Sequence, residues 1–316
     1  MTFLLHGATL SLACFIAING LLSALAVWIA RREPRSDSPA FWFGVRLLPS
    51  GVAAAFVAIV FVPSYWRYEP RELVEGFDVT LTASALAALV LLGSGAARGM
   101  SAWGRANRRV RLWMRTSRPI DLGATGLPVF AVDLEAPVMA LAGVWRPRLL
   151  VTRGLIGALT EEELAASVAH ELGHSRAWDN LKRLAMHAAP DLLAPTASAR
   201  AIECRWASAA EHAADRMCGD ATPASRCALA SALVKVARLT PPEPLIAEPI
   251  STLIGGGEIA SRVQVLLDDR VAAPVRRRRS VQWLCAAMAL AALAVTYGSL
   301  LHTVHELTEV LVHALP

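Results

Sequence analysis

His170-Glu171-Leu172-Gly173-His174 sets two imidazoles four residues apart with a carboxylate beside the first. Four residues is just over one helical turn, so on a helix both rings stack on one face and reach one ion. Glu171 then stands where a general base would meet a metal-activated water. The segment has the signs of that helix. Thr160-Glu161-Glu162-Glu163 is a Thr-x-x-Glu capping box, which predicts a start near Thr160. Leu164, Val168 and Leu172 fall on one apolar face.

A catalytic metal site needs three protein ligands and one open position. A second predicted helix, around Ala201–Cys218, offers the third in Glu211-His212-Ala213-Ala214-Asp215. Glu211 is the candidate ligand, and Asp215, one turn on, is placed to fix the tautomer of a ligating histidine. His212 points about 100° away from Glu211 and is not expected on the same ion. The pattern predicts one Zn2+.

H-E-x-x-H followed by Glu-x-x-Ala-Asp resembles the membrane-bound zinc metalloproteases of the HtpX and CAAX-processing type, and their relatives the antibiotic-sensing BlaR/MecR-type proteases. The resemblance implies zinc ligands His170, His174 and Glu211, with Glu171 as base. Asp179 matches a common family position. Ala136–Gly143 and Pro147-Arg148-Leu149-Leu150-Val151 resemble the hairpin that ends in the family's substrate-binding edge strand. The implied activity is zinc-dependent endopeptidase cleavage of a protein or peptide substrate that adds to that edge by backbone pairing.

These residues must be positioned by a membrane protein. The chain is 55% hydrophobic and 18% charged, unlike an ordinary soluble enzyme. Ala8–Ala30, Phe41–Val62, Val79–Ala97 and Val281–Leu301 are each long enough for a hydrocarbon core of about 30 Å. Arg46, inside the second span, is expected to snorkel to the interface. The predicted fold class is therefore α+β: four transmembrane helices and a mainly helical, zincin-like domain at 98–280 with a small edge-strand sheet, then a short tail at 302–316. Strands are expected at Val129–Val132, Val138–Leu141 and Pro147–Val151. Further helices are expected at Leu181–His187, Pro223–Leu239 and Ala260–Asp269. The Pro- and Gly-rich 240–257 stretch reads as a loop, either a lid or a plain connection.

Arg31, Arg32 and Arg35, the run from Arg98 to Arg118, and Arg276 to Arg279 flank the same ends of the spans. This predicts an inner-membrane protein with both termini outside and the zinc domain in the cytoplasm. The net charge of +5 is then membrane collar. Arg105–Arg118, with Trp103 and Trp113, is expected on anionic headgroups, and no direct nucleic-acid contact is predicted. The bilayer, a cytosolic repressor and a membrane partner protein are the expected partners. Cys14, Cys204, Cys218, Cys227 and Cys285 fit no metal pattern and are not expected in disulfides. His302-Thr303-Val304-His305-Glu306 departs from H-E-x-x-H and reads as interface polar residues.

Three spans before the domain resemble the BlaR/MecR-type layout, whereas HtpX-type proteases usually have two. A β-lactam sensor needs Ser-x-x-Lys, and the only lysines, Lys182 and Lys235, follow Asp179 and Ala232 at that spacing. Direct β-lactam sensing is therefore not expected. The alternatives are a membrane-protein quality-control protease and a signalling receptor or scaffold that does not cleave. A metal within the bilayer is disfavoured by Arg176, Asp179, Lys182 and Arg183 just past the motif. Arg205 is a weak candidate for oxyanion stabilisation.

Overall fold

The computed structural model describes residues 2–33, 36–71, 78–123, 125–134, 137–219, 222–239, 251–252, 259–268 and 296–311. Among the described residues, three helices are long and apolar enough to cross a membrane. The first is α1 (Thr2–Arg32). The second is built from α2 (Pro39–Phe56), a π-helical turn (Val57–Phe61) and α3 (Val62–Tyr68). The third is α4 (Val79–Met114). Their outward faces carry Leu21, Ile59, Leu86 and Val90, all more than half exposed, which suggests a membrane protein. Most of the predicted fourth span lies outside the described residues. Its end belongs to a helix at 296–311, α11, which continues past Leu301.

Ser38 caps α2 and Pro39 starts it, where a missing N–H costs nothing. Pro63 sits deeper, just after the π-helical turn in which Val62 N donates to Val57 O, and it adds no N–H to the ladder near the Ile59 carbonyl. Tyr297 on α11 donates its hydroxyl to that carbonyl, and Ser64 Oγ donates to Leu301 O at 2.6 Å. The break in the second span is thus where α11 attaches.

Beyond α4 lie β1 (Arg118–Pro119), β2 (Val129–Val132), β3 (Met139–Ala142) and β4 (Arg148–Thr152), then α5 (Arg153–Ala158), α6 (Glu161–Arg176) and α7 (Asp179–Ala188). They are followed by α8 (Ala197–Gly219), α9 (Pro223–Leu239), β5 (Ser251–Thr252) and α10 (Ile259–Leu267). The sheet order is β1-β2-β4-β3-β5. Alternation along β4 sends Leu149 and Val151 to the core under α6, α9 and α10, and Leu150 to the other face.

That other face corrects the expectation that Trp113 lies on lipid headgroups. α4 runs unbroken through the predicted boundary at residue 98, and Val110 and Trp113 near its end pack on Leu150, Val138 and Ala140. Trp113 therefore covers the sheet, while Trp103 stays exposed. The 240–257 loop lies outside the described residues except for β5 at 251–252.

The domain docks on the spans through the α7–α8 connection. Asn19 on α1 donates to Pro190 O at 3.0 Å and accepts from Leu192 N at 3.1 Å. A Cβ on Gly95 would come within 2.7 Å of Ala188 O, so only glycine lets α4 approach α7 so closely. Arg46 does not snorkel. It is 1% exposed and reaches Asp191 at 2.6 Å, Glu203 at 2.7 Å and Met186 O at 3.0 Å. A buried guanidinium needs such partners, and the domain supplies all three.

Candidate metal centre

The Thr160 side chain accepts from Glu163 N while the Glu163 carboxylate accepts from Thr160 N, which completes the capping box and starts α6. α6 carries His170, Glu171 and His174 inward, each no more than 1% exposed. α6 ends at Arg176, and two residues on Trp178 has a φ of 57°, rare for a residue with a Cβ. This left-handed step turns the chain so that α7 begins with Asp179 beneath His174. α8 crosses α6 at Gly173, where an added Cβ would lie 3.3 Å from Ala214. That close approach brings Glu211 over the histidines.

Three donor atoms converge. His170 Nε2 lies 3.2 Å from His174 Nε2 and 3.4 Å from Glu211 Oε2, and His174 Nε2 is 3.5 Å from Glu211 Oε1. Ligands about 2.1 Å from a tetrahedral zinc stand roughly 3.4 Å apart. Each imidazole has its other nitrogen on a carboxylate. His174 Nδ1 is 2.8 Å from Asp179 Oδ2, and His170 Nδ1 makes a bent contact of 2.9 Å with Asp215 Oδ1. With the proton held at Nδ1, both Nε2 lone pairs face each other and the Glu211 carboxylate. Without a cation that arrangement is repulsive, so the residues fit a metal. His212 stands outside the group.

Glu171 is fully buried, with no more than a weak backbone contact from Leu141 on its carboxylate among the described residues. Burial pushes it up to about 7, against the lowering pull of His174 and His170. A carboxyl group poised there can both take and return a proton near neutral pH. Burial works the same way on Glu211, yet positive charge opposite it outweighs this: with both imidazoles protonated, their N–H bonds hold Glu211 well below the usual carboxylate range.

The structure adds residues that the motifs did not announce. Arg262 on α10 is 1% exposed, with Nη1 2.9 Å from Glu211 Oε2 and Nη2 2.7 Å from Asp215 Oδ1. Its signal was an arginine on the same stripe as Ile259, Val263 and Leu266, which face the core. Arg183 is a second cation whose charge reaches Glu211, Asp179 and Glu171. Asn180 donates to Leu141 O at 2.9 Å and Gly143 O at 3.0 Å, tying α7 to β3. Arg205, the weak oxyanion candidate, is instead at the spans, donating to Ala30 O at 2.6 Å and lying over Trp42.

The expected edge strand is also corrected. Pro147 precedes β4, and Arg148, Leu149, Leu150 and Val151 lie within it, paired to β2 on one side and β3 on the other. An interior strand has no free backbone groups for a substrate. The strand beside Glu171 is β3, whose outer side meets β5 at Ala140 and Leu141 among the described residues. A cavity of about 250 Å³ opens next to it, bounded by Leu141, Val144, Pro147, His174 and Trp178.

No curated protein matches the chain. Residues 105–240, the stretch that runs from the end of α4 through α9 and carries His170, Glu171, His174 and Glu211, match the model of Peptidase family M48, which supports a metallopeptidase at this centre.

Proposed function

We propose that the protein is an integral-membrane, zinc-dependent endopeptidase that cleaves a protein on the cytoplasmic side of the inner membrane, with both termini outside. The observation that carries this reading is the convergence of His170 Nε2, His174 Nε2 and a Glu211 carboxylate within 3.5 Å, beside the fully buried carboxylate of Glu171. His170, His174 and Glu211 would hold the ion. Zinc, when bound there, supplies Lewis-acid polarisation of a carbonyl and a lowered pKa for water. Asp179 and Asp215 keep both imidazoles in the ligating tautomer and orientation. Glu171 takes the proton of the attacking water and returns it to the leaving amine.

A substrate in extended form pairs with β3 and so takes the place of Ser251–Thr252. Asn180 holds β3 by its Leu141 and Gly143 carbonyls, keeping that edge at a fixed distance from Glu171. The substrate class is a cytosolic protein. Three candidate spans ahead of the domain support a BlaR/MecR-type role in which the target is a transcriptional repressor and the stimulus arrives through the spans or a partner protein.

Chelation of the full-length protein in detergent should abolish cleavage of an unstructured protein substrate, and zinc should restore it. Cleavage that survives complete removal of metal would contradict this function.

A further inference from the structure

At the far end of the helix bundle from the zinc domain, a second group of ligand atoms converges. Glu69 caps α3, and His305 and Glu309 lie one turn apart on α11. One ligand atom from each falls within 4.8 Å of the other two. We propose that Glu69, His305 and Glu309 form a second site for a divalent transition-metal ion, zinc by ligand type, that joins the end of the second span to α11.

Two neighbouring pairs, one within α11 and one between α11 and the end of α3, show why this group differs from ordinary surface charge. His302 and Glu306 have the same spacing, at 3.3 Å, but are 58% and 64% exposed, which is a solvated pair of little consequence. The His305 and Glu69 side chains are 20% and 7% exposed, with Nδ1 3.7 Å from Oε2. That is too long for a hydrogen bond. It is close to the roughly 3.4 Å that separates ligands on a tetrahedral zinc. The Tyr68 ring stacks on His305 at an interplanar angle of 25°, which fixes the plane of the imidazole.

The chemistry of the donor set narrows the ion. One imidazole and two carboxylates suit zinc and its neighbours, whereas calcium and magnesium take oxygen ligands alone. Three protein ligands leave a position for water, so the ion can exchange. Arg67 lies over the Tyr68 ring and tempers the negative charge nearby. The frame is already built, because the Ser64 and Tyr297 hydrogen bonds hold the second span and α11 together one to two turns away.

Zinc titration of the metal-stripped, full-length protein in detergent tests the site, with the difference between variants as the readout. The double variant His305→Ala, Glu309→Gln should take up about one zinc fewer per chain than wild type, and Glu69→Gln should weaken that same equivalent at least tenfold. His302→Ala should leave it unchanged. Far-ultraviolet circular dichroism without zinc identifies variants that fold as wild type, and only those are compared. Equal zinc uptake by wild type and the double variant would overturn the proposal, as would loss of the equivalent in His302→Ala. Because only the difference is read, the result is independent of whether the Glu171 centre holds zinc.

Discussion

Arg262 Nη1 lies 2.9 Å from Glu211 Oε2, on the carboxylate that also faces both histidines. The same guanidinium forks onto Asp215, with Nε 2.8 Å from Oδ2 and Nη2 2.7 Å from Oδ1. One cation thus steadies both the candidate ligand and the acid that orients His170. Burial disfavours the charge, and the two acids more than offset this, so the Arg262 pKa is raised.

Arg262→Leu should therefore leave the buried Asp215 and the part-buried Glu211 short of a partner and destabilise the domain by about 3–5 kcal/mol. Arg262→Lys keeps the charge but has no planar fork to serve both acids, so it should recover only part of the loss. Denaturant unfolding of the three proteins in detergent checks the order. Equal stability of wild type and Arg262→Leu would contradict the role given to this residue.

Arg46 and Asp191 give a second prediction, at the joint between spans and domain. Asp191→Asn should expose the α7–α8 connection to proteolysis, because Arg46 is left with Glu203 and one carbonyl. Arg46→Met should loosen the same connection, since it strands Asp191, which is 0% exposed. Limited proteolysis followed by mass spectrometry reads both. Cleavage patterns like wild type would mean that the domain docks without this ion group.

Much of this was legible in the sequence, and the reason differs by element. α6 was readable because its capping box, apolar stripe and motif all agree on one helix, and the strands expected at 129–132 and 138–141, the second found one residue on at 139–142, because short apolar runs are bounded by Pro and Gly. The partners of Arg46 and Arg262 were not, since each is joined to residues more than 40 positions away and neither contact has a local pattern. The edge strand was misjudged for a related reason. Strand identity is a local property, but whether a strand lies at an edge depends on β2 joining the sheet in parallel beside β4, which the hairpin between β3 and β4 does not reveal.

Glu163 predicts a pH dependence. Its burial alone would raise its pKa, but bonds from Lys235, Ser231 and Thr160 outweigh this and lower it. A carboxyl group held lower in the folded state stabilises above its unfolded pKa, about 4.3, and loses that contribution as pH falls through the folded value. The stability gap between wild type and Glu163→Gln should be full at neutral pH and shrink below about pH 4. Unfolding curves across that range check it. A gap that widens on acidification would reverse the sign of the argument.

β5 predicts a kinetic effect. If Ser251–Thr252 competes with substrate for β3, prolines at both positions should favour substrate, because proline cannot donate to the ladder. Losing one such bond is worth about 1 kcal/mol, or roughly fivefold in KM, with kcat little changed. Steady-state cleavage of an unstructured protein substrate separates the two constants. A raised KM would show that β5 helps to hold substrate.

The central claim is that Glu171 is the base of a metal-dependent peptidase. Its most direct test is to measure zinc content and substrate cleavage together in wild type and Glu171→Gln, both full-length in detergent. Glutamine keeps the shape of the side chain but cannot take a proton. The variant should bind as much zinc as wild type and cleave on the order of 10²–10⁴ times more slowly. A variant that keeps its zinc and cleaves at the wild-type rate would contradict the assignment of the base.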